Sequence, residues 1–417
     1  MKVLEIEGNH PLSGTIHIGG AKNSAVALIP ATILADDLVT LTNIPDITDI
    51  EALSEILEYL GVNIKHASQS MIIDAKNMIN KIIPNSMSSK LRASYYFMAS
   101  LLAKYKFVQM YFPGGCRIGS RPIDQTLMVF EKLGAKIKEE NCLFTIEAEE
   151  LIGTDIKLDM PSVGATINAI IVASKAVGTT IIRNAAREPE IVDVSNMLNK
   201  MGAKIIGAGT DTIKIVGVDK LGGCFHNVIP DRIEAGTYVI LGALIGNFLQ
   251  IDNIIPEHIK SLTDKLYEMG VDLTINEESI IVNESSNLVS TSIKTLGYPG
   301  FPTDLQQPFV TLLTQTRGES YVNETIYENR FMNIPYLNKM GANINVNGRE
   351  AKILGPTKLH GMEVEATDLR AGASLLLAAL KADGITVIKN VEYILRGYEE
   401  IIDKLSNIGA KIELKEI

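Results

Sequence analysis

Residues 163–218 read VGATINAIIVASKAVGTTIIRNAAREPEIVDVSNMLNKMGAKIIGAGTDTIKIVGV, and their pattern decides the fold. Ser162 stands before the apolar run ATINAIIVASKAVG and can cap a helix that stops at Gly178. TTIIRNA has the β-branched alternation of a strand, AREPE is a loop, and IVDVSNMLNKMG is an amphipathic helix ending at Gly202. AKIIGA and DTIKIVGV follow as two strands joined by a turn containing Gly209. The order is helix, strand, loop, helix, hairpin.

The same order recurs along the chain. The helix-ending signal appears as EYLGVNI, EKLGAKI, NKMGAKI, YEMGVDL, NKMGANI and SNIGAKI, with glycines at 61, 134, 202, 270, 341 and 409. Successive spacings are 73, 68, 68, 71 and 68 residues, so the chain is six copies of one supersecondary unit. The first helix of each unit lacks a polar face: SAVALIPATILA, YYFMASLLA, INAIIVASKAV, YVILGALIG, FVTLLTQ and SLLLAAL. A helix apolar all round is buried, and the amphipathic second helix lies outside it. With 417 residues, two domains of three units each are expected.

The sixth hairpin is cut short after AKIELKEI, while KVLEIEG at Lys2–Gly8 resembles the second hairpin strand of the third unit. The N-terminal segment is therefore expected to pair into the last unit. That puts one domain at 21–229 and the other at 1–20 plus 230–417, with the active site expected in a cleft between them.

Composition narrows the function. A formal net charge of −10 argues against nucleic-acid or anionic-membrane partners. MKVLEIEG has no signal-peptide pattern, no apolar run is long enough to span a bilayer, and three scattered cysteines make no disulfide framework. A cytoplasmic protein is expected, with its oligomeric state unreadable. Any anionic ligand must then meet a local cluster of cations. Lys22, Asn23, Arg92, Ser162, Val163, Gly164, Arg232, Glu234, Asp304 and Arg370 stand at starts of buried helices, where free N–H groups favour anions. Asp49, the 116–121 stretch, Arg187, His258, Arg330 and Arg396 recur in the loops before the outer helices.

Two segments carry chemistry. PGGCRIGSRPID (Pro113–Asp124) packs Cys116 between Arg117 and Arg121 in a glycine-rich loop, which suits a mobile lid bearing a thiol of lowered pKa. A plain buried cysteine fits Cys142 better, at the head of the strand CLFTIEA. PGFPTDLQQ places Asp304 at a helix start, either as a cap or as a base for a hydroxyl proton. Arg187 and Glu190 could simply pair with each other.

GGAKNSA, SSKLRAS, PGGCRIGSRPID, PSVGAT, REPEIVD, IPDRIEAGT, PGFPTDLQ, ETIYENRFM, ATDLRAGA and LRGYE, in order from Gly19 to Glu399, resemble the UDP-N-acetylglucosamine 1-carboxyvinyltransferase family. The resemblance implies a two-domain inside-out α/β barrel of six βαβαββ-like repeats, the enolpyruvyl transferase fold. It implies phosphoenolpyruvate and UDP-N-acetylglucosamine as small-molecule partners, peptidoglycan synthesis as the setting, and fosfomycin as an inactivator. By position it makes Cys116 the proton donor, able to form a phosphoenolpyruvate-derived adduct, and Asp304 the base. It assigns substrate contacts to Lys22, Asn23, Arg92, Arg121, Pro122, Ile123, Asp124, Gln125, Ser162, Val163 and Gly164. Ile326, Arg330, Asp368, Arg370 and Arg396 complete the set. No metal or cofactor is expected. Thr126, Arg117 and Ile167 depart from the family pattern, at a His, a small residue and a Glu respectively. Two other readings remain: a shikimate 3-phosphate enolpyruvyl transferase, and a catalytically silent UDP-sugar-binding regulator.

Overall fold

The computed structural model describes residues 2–114 and 122–416. It divides into two compact units, one of residues 20–114 and 122–229, the other of residues 2–19 and 230–416. The chain passes between units after Gly19 and again after Ile229.

Within the first unit the buried helices are Lys22–Ala31, Tyr96–Tyr105 and Val163–Ala173. The second unit has Arg232–Ile245, Thr303–Leu313 and Leu369–Lys381 in the same places. Their apolar residues are almost wholly inaccessible, so each unit has its own core. Outer helices such as Thr48–Tyr59 and Lys260–Glu268 keep exposed charged faces, while Pro189–Lys200 exposes only Asn196, Asn199 and Lys200.

The six signal glycines end these outer helices in one way. Gly61, Gly134, Gly202, Gly270, Gly341 and Gly409 all have φ between 81° and 111°, a region costly for other residues. At each, the glycine N–H bonds back to the carbonyl three residues earlier (Gly61 to Glu58, 2.9 Å). The next N–H reaches the carbonyl five residues before it (Val62 to Leu57, 3.0 Å). That double closure satisfies the last helical carbonyls and turns the chain into the hairpin.

Five sheets have four strands and one has three among the described residues. In the 163–218 unit the hairpin Lys204–Ile206 and Thr212–Val216 pairs antiparallel with itself and with Thr179–Arg183. A further strand, Asp155–Lys157, adds in parallel. This leading strand completes the βαβαββ order, and its shortness is why residue patterning alone does not reveal it.

The N-terminal strand Lys2–Glu7 lies in the last sheet, between Ile385–Lys389 and Lys411–Glu416, antiparallel to both. Leu4 and Ile6 face the core and Val3 is buried as well, while Lys2 and Glu7 stay outside. Strand register and burial thus agree on its insertion. Leu4→Ala should lower the stability of the protein by about 2–5 kcal/mol, the usual cost of truncating a buried leucine. Chemical denaturation measures this, and a cost under about 0.5 kcal/mol would mean that the inserted strand does not contribute to the core.

Candidate active site

In the first unit, Lys22 opens its helix and pairs with Asp49 at 2.8 Å, both largely buried. Asn23 follows, half-buried. Behind them Ser24 donates to Asp193, whose other carboxylate oxygen lies 2.8 Å from His226 Nε2. Ser24, Asp193 and His226 are all buried, so this trio fixes the helix start from inside.

Arg92 begins a short helical turn and donates to the Pro113 carbonyl at 3.4 Å. Its guanidinium lies 5.8 Å from the Tyr95 ring and 5.3 Å from the Phe112 ring, which hold it by cation–π attraction. The Tyr95 hydroxyl in turn lies so close to Gly164 that a Cβ there would fall 1.6 Å from it. Arg92, Pro113 and Gly164 are therefore gathered around one tyrosine. Ser162 caps the Val163–Ala173 helix through the Ala165 N–H, as its position predicted. Pro122 is exposed, Ile123 is buried, and Asp124 starts the next helix. Gln125 makes a two-point contact with Asp159, donating to its carboxylate and accepting from its N–H, both at 2.9 Å. Of the departures, Ile167 and Thr126 are both buried. Ile167 is a packing position, which explains an apolar side chain there.

The second unit holds the strongest electrostatics. Asp304 is second in its helix, after Pro302 and Thr303, yet it caps nothing. Its Oδ1 accepts from Arg330, and its Oδ2 accepts from Arg370 at 3.0 Å. Burial works to raise the Asp304 carboxyl, but Arg370 and Arg330, with Arg232 adding, outweigh it and hold it well below the usual carboxylate range. The helix-cap alternative for Asp304 is thus excluded. Arg330 and Arg370 are themselves buried, lying 5.3 Å from the Tyr327 ring and 5.7 Å from the Tyr398 ring. Arg370 also donates to the Tyr398 hydroxyl at 3.3 Å.

Asp368 is a true cap: its Oδ1 accepts from the Arg370 and Ala371 N–H groups and orients the helix that carries Arg370. Arg396 is half-buried at the end of the short Glu392–Leu395 helix. Ile326 has an exposed side chain, and its N–H donates to Glu324 at 2.8 Å. Glu234, at the start of its helix, is buried against Lys404 at 2.6 Å and accepts from the Gly19 N–H. Burial pushes its carboxyl up to about 7 against the pull of Lys404.

Cys116, Arg117 and Arg121 lie outside the described residues. Two expectations need correction. Arg187 pairs with Asp211 at 3.2 Å on the exposed surface, not with Glu190, because the neighbouring hairpin brings Asp211 to it. Cys142 is exposed, in the left-handed turn between two strands, so it is no buried hydrophobe. Glu324, Tyr398, Asp193 and His226 escaped the sequence reading. Glu324 and Tyr398 sit inside the motifs ETIYENRFM and LRGYE, the signal available for them. Among the described residues no group of three His, Cys, Asp or Glu could hold a metal ion, and no helix is long and apolar enough to cross a membrane.

The family pattern described as EPSP synthase (3-phosphoshikimate 1-carboxyvinyltransferase) matches residues 6–405. The chain is 52% identical over 413 residues to UDP-N-acetylglucosamine 1-carboxyvinyltransferase 2 of Bacillus subtilis (strain 168), covering 99% of this chain and 96% of that protein. The protein of that name from Listeria monocytogenes (strain EGD-e) is 52% identical over 409 residues, covering 98% and 97%. Among solved structures, the enolpyruvyl transferase NikO from Streptomyces tendae superposes with a TM-score of 0.91 at 26% identity, covering 99% of both chains. An EPSP synthase from Acinetobacter baumannii shares the fold, with a TM-score of 0.78 at 19% identity over the full length of both. On this identity and coverage, joined to the repeat architecture, the chain belongs to the UDP-N-acetylglucosamine 1-carboxyvinyltransferase family of enolpyruvyl transferases.

Proposed function

We propose that the chain transfers the enolpyruvyl group of phosphoenolpyruvate to the 3′-hydroxyl of UDP-N-acetylglucosamine, releasing phosphate, in cytoplasmic peptidoglycan synthesis. The observation that supports this most is the Arg330–Asp304–Arg370 group, a half-buried carboxylate between two buried guanidiniums. Such a set can serve a hydroxyl proton and a phosphorylated carboxylate together. The choice of acceptor rests on the names of the relatives.

The reaction needs an acid, a base and cations. In this reading the acceptor hydroxyl gives its proton to Asp304 while its oxygen attacks C2 of phosphoenolpyruvate. C3 takes a proton from Cys116, giving a tetrahedral ketal. The C3 methyl then returns a proton to the Cys116 thiolate, which re-forms the double bond as the C2–O bond to phosphate breaks. Arg330, Arg370 and Arg396, with Lys22, Asn23 and Arg121, bind phosphate and carboxylate. Arg92, Pro122, Ile123, Asp124, Gln125, Ser162, Val163 and Gly164 serve the nucleotide sugar, Ile326 offers its backbone, and Asp368 orients Arg370. No metal or cofactor enters.

A carboxylate held far below its usual range is a poor base, so Asp304 must be freed before it acts. A substrate phosphate and carboxylate can take over Arg330 and Arg370 as counter-ions. Asp304 then keeps its burial and loses its cations, which raises its proton affinity. The base becomes active only when the anion is bound.

Phosphate release with phosphoenolpyruvate should require UDP-N-acetylglucosamine and be absent with shikimate 3-phosphate. The reverse preference would make the chain a shikimate 3-phosphate enolpyruvyl transferase, and binding of UDP-sugar without turnover would make it a regulator. Asp304→Asn should cut turnover by about 10²-fold or more with UDP-sugar affinity little changed. Near-normal turnover would remove Asp304 from the base role.

Cys116→Asp should keep activity, since a carboxylic acid can still donate a proton, and should resist alkylation by fosfomycin. Cys116→Ser should be inactive, because a hydroxyl is too weak an acid. Peptide mapping of fosfomycin-treated protein should place one adduct on Cys116. The exposed Cys142 is the internal control, and equal labelling there would show that alkylation is unselective.

A further inference from the structure

Glu324 follows the strand Gly318–Asn323 and is wholly buried. Its Oε1 accepts from Thr295 Oγ1 at 2.9 Å, from the Ile326 N–H at 2.8 Å and from the Tyr327 N–H at 3.1 Å. Its Oε2 accepts from Thr303 Oγ1 at 2.9 Å. One carboxylate therefore receives four hydrogen bonds from three separate segments. Thr303 immediately precedes Asp304, and the 324–330 segment ends at Arg330, which holds Asp304. The two segments whose side chains form the Arg330–Asp304 pair are tied together at their bases by Glu324.

We infer that Glu324 is a positioning residue that, through the Thr303 hydroxyl, sets Asp304 and Arg330 in register for proton abstraction. A carboxylate suits this task because it accepts at both oxygens, and both backbone N–H groups can only donate. Buried as it is, removing it would leave several donors without partners, which destabilises the fold for reasons unrelated to catalysis. The informative substitution is at Thr303, half-buried and touching Glu324 only through its hydroxyl among the bonds described. Thr303→Val keeps the shape and β-branching and deletes the donor. Thr303→Ser keeps the donor.

The inference rests on the enolpyruvyl-transfer reading, and two measurements separate the fates of the two. With phosphoenolpyruvate and UDP-N-acetylglucosamine, Thr303→Val should lower kcat by roughly tenfold or more while KM for the nucleotide sugar stays within about twofold. Thr303→Ser should recover most of the parental kcat. Hydrogen exchange read by mass spectrometry needs no turnover: the Ile326 and Tyr327 amides should exchange faster in Thr303→Val and at the parental rate in Thr303→Ser. A parent that releases no phosphate overturns the transfer reading, and the exchange result still decides the tie. Parental kcat in Thr303→Val, or a serine variant as impaired as the valine, overturns the positioning role.

Discussion

Six helices without a polar face impose the constraint from which the rest of this structure follows. Burying one such leucine or isoleucine side chain is favourable by about 1.5–3 kcal/mol, and one repeat cannot cover its own apolar helix. Three repeats together can, with sheets and outer helices as the cover. That requirement makes each unit closed upon itself. It explains why the strand Lys2–Glu7 lies between Ile385–Lys389 and Lys411–Glu416, far away in sequence. In the first unit the strand Cys224–Asn227 pairs in parallel with Val39–Thr42, joining the end of that unit to its start.

The sequence made legible whatever depends on near neighbours. Helix ends at the six glycines, the apolar runs and the Ser162 cap all follow from local backbone and hydration rules. Insertion of the first strand was readable because the missing hairpin partner left a gap that one other segment matched. Pairings chosen by the tertiary fold were not readable. Arg187 has Glu190 nearby in sequence, yet the hairpin delivers Asp211. Cys142 heads an alternating pattern, but the residue sits on the turn rather than in the strand, and its side chain faces solvent. Asp304 could be read as a helix cap until the two arginines were seen on it. Glu324 was hidden because a buried carboxylate whose described partners are hydroxyls and amides leaves no charge pattern in sequence.

Asp304 and its arginines depend on one another electrostatically. A buried guanidinium without a counter-ion is costly, and Arg330 and Arg370 are both buried. Asp304 provides that counter-ion, at the expense of its own basicity. On the proposed reading, the incoming phosphate and carboxylate carry more negative charge than one aspartate and also accept hydrogen bonds from guanidinium. Exchange of one anion for another leaves the arginines compensated and the aspartate uncompensated. The free energy that held Asp304 ionised then appears as a raised proton affinity at the moment a hydroxyl proton has to be removed. On the proposed reading, one triad thereby gives both the compensation of two buried arginines and the timing of the base.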